Sequence, residues 1–224
     1  MWRDALLVAG KDLRIERRSR VTLQQVVPFA ALVIVLFAFA LDPDRGVLAR
    51  AAAGLFWVAV LFAAVLAVQR SQAVEGADGV RDAIRLSGLD PAGVFLGKAL
   101  AVALQLVVLE VVLGVLVVLL YDVDVDGAAT LLATMVSATA GLAAAGSLYA
   151  ALAAGLRVRE TLLPLLLLPV VAPVLIAATR ASESALTGTS FEVSAGDWLG
   201  LLGVFAVVYV AFGLLAYGPL LEDE

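Results

Sequence analysis

Glu110 is the one acidic residue well inside an apolar stretch of this chain. A charge at mid-bilayer costs about 2.5–3.5 kcal/mol on insertion scales, so a carboxyl there faces protein or water rather than lipid. Three roles suit it: a proton-carrying site, a polar contact to a partner subunit, or a lock between two helices in which it is protonated or paired. Gln105, five positions earlier, points about 140° away around a helix and is no obvious partner. The other concentration of chemistry is polar. Asp78, Gly79, Val80, Arg81, Ile84 and Arg85 lie between two apolar stretches, with Val80 and Ile84 on one side of a short helix and Arg81 and Arg85 as a basic stripe beside them. That arrangement suits docking onto another protein. The bland alternative is a well-capped connector.

Much chemistry is excluded. The chain has no cysteine and no histidine, which removes thiolate metal sites, thiol nucleophiles, the commonest metal ligand and the commonest general base. Gly93-Val94-Phe95-Leu96-Gly97-Lys98-Ala99 imitates a nucleotide-binding loop, but the spacing is one residue short and no Ser or Thr follows the lysine. It reads better as two glycines one helical turn apart, with Lys98 snorkelling to the cytoplasmic interface. No catalytic residue and no metal ligand set is expected.

The elements that position these groups follow from composition. Of 224 residues, 63% are hydrophobic and 16% charged, against about 45–50% and 25% in soluble domains. Six stretches are long enough to cross a hydrocarbon core about 30 Å thick: residues 21–41, 51–68, 94–121, 128–156, 161–179 and 198–221. Continuous apolar runs exclude the alternating pattern of a barrel. The fold class is all-α integral membrane, a single transmembrane domain over residues 1–224 with six spans. Ala38-Phe39-Ala40 imitates a signal cleavage site, but the long apolar run and extended basic region before it favour a retained span.

Twelve of the 15 lysines and arginines fall in the N-terminal segment, the loop between spans two and three, and the turn between spans four and five. The positive-inside rule then places both termini in the cytoplasm. Trp2, Leu6, Ala9 and Leu13 recur at helical spacing with basic residues on other faces, so residues 1–20 form an interfacial helix. Residues 78–88 form a short cytoplasmic helix, capped by Asp78 and ended by Gly88 in a left-handed conformation. Asp90-Pro91 opens span three. Pro164 falls in the opening turn of span five, while Pro169 and Pro173 are interior and bend it. The small residues Ser137, Gly141, Ala144, Ala145 and Ser147 let span four approach its neighbours. Short helices or a partial re-entry are expected within residues 180–197.

These elements together resemble the membrane subunits of ABC-2 type exporters. Local sequence narrows the resemblance. The run from Leu48-Ala49-Arg50 through Gly54-Leu55-Phe56-Trp57 is similar to the CcmB family's entry into span two. Asp78-Gly79, Leu86, Leu89 to Pro91, Phe95, Leu96 and Lys98 are similar to its loop and third span. So is Gly155-Leu156-Arg157, followed by Leu162, Leu163, Pro169, Pro173 and Ala177-Ala178-Thr179. The resemblance implies a non-catalytic permease subunit of a haem exporter for cytochrome c biogenesis, in the bacterial cytoplasmic (inner) membrane. It implies a second copy of the chain, a CcmA-type ATPase, a CcmC-type haem-handling membrane protein, a CcmD-type small subunit and a CcmE-type haem chaperone. Membrane lipid is a further partner and nucleic acid is not. The chain itself would bind no cofactor, ATP and haem being handled by the partner subunits. Asp78 to Arg85 would couple the spans to the ATPase, whose hydrolysis serves release of haem-loaded chaperone. Another ABC-2 permease, a proton-coupled carrier centred on Glu110, and a scaffold that only assembles partners are the alternatives.

Overall fold

A backbone in hydrocarbon must satisfy its own hydrogen bonds, and this chain does so by helix. The computed structural model describes residues 1–20, 22–41, 45–75, 86–153, 159–187 and 194–222, and among them every regular element is helical. The α-helices are α1 (Trp2–Ser19), α2 (Val27–Leu41), α3 (Arg45–Glu75), α4 (Pro91–Tyr121), α5 (Ala128–Ala153), α6 (Arg159–Thr187) and α7 (Ala195–Glu222). A π-helical turn, Thr22–Val26, leads into α2. Six of the helices, α2 to α7, are long and apolar enough to cross a membrane.

Helices α3, α4, α5 and α6 pack on one another, while α2 leans on α3 and α4, and α7 on α5, α6 and α4. Trp57, Ile34, Leu106, Leu109, Leu113 and Leu142 belong to one continuous core. Phe29, Leu32 and Leu36 of α2 and Val204, Val207 and Phe212 of α7 stay exposed. Lipid tails are as apolar as these side chains, so nothing drives them inward.

Hydrogen bonds tie the ends of the bundle. Tyr121 Oη donates to the Ile34 carbonyl at 3.0 Å. The Gly127 amide donates to the Ala185 carbonyl at 2.9 Å, so the α4–α5 connection lies against the far end of α6. At the opposite end α1 packs along the first turns of α4.

Three expectations change. Residues 180–187 form no separate element, because α6 continues unbroken to Thr187. Ser182, buried in that extension, accepts from Trp57 Nε1 at 2.9 Å, a bond that gives the last turns of α6 a fixed place against α3. Pro164 sits in the second turn of α6 rather than the first, since the helix starts at Arg159. Lys98 does not snorkel: it is only 2% exposed. Its turn of α4 is enclosed by α1 at Gly97 and by α7, where Tyr217 meets Phe95 with ring centroids 5.6 Å apart.

Candidate functional site

The loop expected to dock on a partner is held by local chemistry at its exit. Leu86 is helical, and Gly88 adopts φ +67°, the left-handed conformation that terminates a helix at little cost to glycine. Asp90 then caps α4: its Oδ1 accepts from the Ala92 amide at 3.1 Å, and Pro91 occupies the first turn. The expected left-handed stop at Gly88 and the Asp-Pro start of α4 are both present. Asp78, Gly79, Val80, Arg81, Ile84 and Arg85 lie outside the described residues.

Both flanks of this loop touch α1. Near its entrance, Arg70 Nε on α3 donates to Glu16 Oε2 at 3.1 Å. At its exit, the Asp90 amide donates to Asp4 Oδ2 at 3.4 Å, and the Met1 amine pairs with Asp4 at 3.2 Å and with Asp90 at 3.4 Å. The hydrogen bond from that amine holds the Asp4 carboxyl below the usual carboxylate range, and the Asp4 contact raises the amine in return.

Close packing holds α1 as well. A Cβ on Gly93 would come within 2.8 Å of the Met1 carbonyl oxygen, and one on Gly97 within 2.6 Å of the Ala5 carbonyl oxygen and of Val8 Cβ. The two glycines read as a helix contact are therefore the seat of α1. The face α1 buries is Ala5, Val8 and Ala9, whereas Trp2 and Leu6 are exposed. Of the four apolar residues that the sequence pattern singled out, Ala9 lies on this buried face and Leu13 is partly buried, while Trp2 and Leu6 are turned away from the glycine groove. Between α1, α3 and α4 remains a small cavity lined in part by Asp12, Glu16, Arg70, Ser71 and Gln105. Gln105 thus looks toward α1, away from Glu110, as its spacing indicated.

Glu110 is buried at 1% exposure in the middle of α4. Its Oε1 accepts a hydrogen bond from Thr139 Oγ1 of α5, itself buried. Its Oε2 has no hydrogen-bond partner among the described residues. Thr139 was not singled out in the sequence: it lies 29 positions away, and it is one of several hydroxyl residues on that span, with Thr130, Thr134, Ser137 and Ser147. The bond joins α4 to α5 at a depth where no water competes for it. Pro169 and Pro173 both lie inside α6.

The chain matches the family model described as CcmB protein over residues 3–222. It is 30% identical over 217 residues to heme exporter protein B of Haemophilus influenzae, covering 97% of this chain and 96% of that protein. Heme exporter protein B of Bradyrhizobium diazoefficiens is 32% identical over 210 residues, 92% of this chain and 91% of the relative. That of Pseudomonas aeruginosa is 31% identical over 212 residues, 94% of each.

Proposed function

The chain belongs to the CcmB family, and on that premise we propose that it is the membrane-spanning subunit of a haem exporter serving cytochrome c biogenesis. Similarity that runs from residue 3 to 222 across all six spans carries this reading. The chain works in the bacterial cytoplasmic membrane with both termini inside, in keeping with its skewed arginines and lysines. A second copy pairs with it. Two copies of a CcmA-type ATPase supply the energy, and CcmC-type, CcmD-type and CcmE-type proteins handle haem beside it. ATP and haem stay with those partners, and this chain binds no cofactor of its own.

Its part is mechanical. Asp78, Gly79, Val80, Arg81, Ile84 and Arg85 dock on the ATPase, and closure of the ATPase around nucleotide moves this loop. The loop joins α3 directly to α4, so its displacement tilts α3, with α2 and α6 following through their packing on it. The outcome is release of haem-loaded chaperone on the far side. The Thr139 contact supports reading Glu110 as a lock between α4 and α5.

Purification of the native complex in detergent, with its subunits identified by mass spectrometry, tests the assembly. An ATPase and haem proteins should accompany the chain; purification without an ATPase contradicts the proposal. Reversal of charge at Arg81 and Arg85 together should abolish coupling while the spans still insert. The measure is chaperone release per ATP hydrolysed, and full retention of coupling contradicts the docking role.

A further inference from the structure

We infer that Glu16 and Arg70 are positioning residues for the coupling loop, and that α1 is a strap fixing the loop's two ends against each other. The inference rests on the functional reading above, in which the loop passes force to the spans. The residues between α3 and α4 enter after Glu75 and leave before Asp90. A force on such a loop can be lost if the two helix ends simply move apart or together. The helix α1 spans both ends: its last turn holds Arg70 through Glu16, and its first turn holds the Asp90 amide through Asp4. Its 18 residues make a rod about 27 Å long. A helix resists stretching far better than a loop, so the end of α3 and the start of α4 are made to move together.

The two attachments differ in kind, and that makes the strap directional. Along α4 the contact is close, with Gly93 against the Met1 carbonyl and Asp4 Cβ and Gly97 against the Ala5 carbonyl and Val8, leaving no room for a side chain beneath α1. This fixes α1 to α4 over two turns. At α3 the connection includes a charge-assisted hydrogen bond, with Glu16 14% and Arg70 33% exposed. Beside it lies the small cavity that Asp12, Ser71 and Gln105 help to line. The α1–α4 unit is therefore the rigid body, and Glu16–Arg70 ties the last turns of α3 to α1, in addition to the packing of α3 on α4.

The test uses the whole complex with its ATPase in lipid nanodiscs, measuring ATP turnover and chaperone release separately. Glu16→Arg and Arg70→Glu should each cut release per ATP about ten-fold while ATP turnover stays within about two-fold of the parent. The exchanged pair, Glu16→Arg with Arg70→Glu, should recover most of the loss, and Arg70→Lys should lose little. A second variant reaches the same device without touching a charge: Gly97→Val, which wedges α1 away from α4, should also uncouple. Single reversals and Gly97→Val that all couple like the parent overturn the strap and leave the functional reading standing. An exchanged pair that assembles yet stays uncoupled overturns the pairing role of Glu16 and Arg70. A parent complex that neither hydrolyses ATP nor releases chaperone overturns the functional reading itself.

Discussion

Among the polar contacts that hold α4, one at mid-span and one at its start work under opposite physical conditions. Glu110 and Thr139 meet where both are nearly inaccessible, so their bond faces no competition from water, and its loss leaves a buried polar group stranded. At the start of α4, Asp4, Asp90 and the Met1 amine form ion pairs in reach of water, as do Glu16 and Arg70 at the other end of α1. Such pairs are screened by salt and individually worth little. Strength without adjustability belongs to the first region, and adjustability to the second. The proposed function, in which α4 keeps its place within the bundle and is steered from one end, would be served by this division.

The largest expected effect lies at mid-span. Thr139→Val keeps the shape of the side chain and strands the Glu110 carboxyl, so the detergent-solubilised protein should lose about 1–3 kcal/mol of stability. Adding Glu110→Leu to Thr139→Val should recover much of it, because a pair replaced by apolar groups leaves nothing unsatisfied. Thermal unfolding of the two variants checks this, and equal melting of single and double variants would break the contrast.

A smaller effect is expected at the loop end. Raising salt from about 0.05 to 0.5 M should weaken the Glu16–Arg70 contact by at most about 1 kcal/mol. Amide exchange in α1 should then quicken, while exchange around Glu110 stays the same. Equal salt response in both regions would show that the ion pair does not hold α1.

The smallest effect concerns pH. The folded Asp4 carboxyl titrates below its ordinary value, so its contribution is fully present above that value and fades as pH falls through the lowered one. The amine beside it titrates above its ordinary value, so its share is present below that value and fades as pH rises through the raised one. Protection of the α1 amides, after correction for the intrinsic pH dependence of exchange, should therefore be greatest between these limits and fall on either side. Asp4→Asn should flatten the acid limb.

What was readable in the sequence follows the range of the forces involved. The stop at Gly88 and the cap at Asp90 with Pro91 are settled within a few residues by backbone conformation and by orphan amides, and they were legible at once. The separation of Gln105 from Glu110 was legible too, because helical geometry alone sets it. Thr139 was not, because Glu110 has many apolar neighbours and nothing local says which helix crosses at its depth. The same holds for Ser182, which looked like part of an outer connection until α6 was seen to carry it against Trp57.

Sequence alone determined that six apolar helices of sufficient length exist. Length, composition and caps act over short stretches, and each is written in consecutive residues. Only the tertiary structure decided which face of each helix meets which neighbour. In a chain this apolar, lipid and protein accept the same side chains, so periodicity cannot mark the inner face. Close approach does so instead: the glycines that seat α1, the hydroxyl that finds Glu110, and the enclosure of Lys98 all depend on which backbones come near enough to touch.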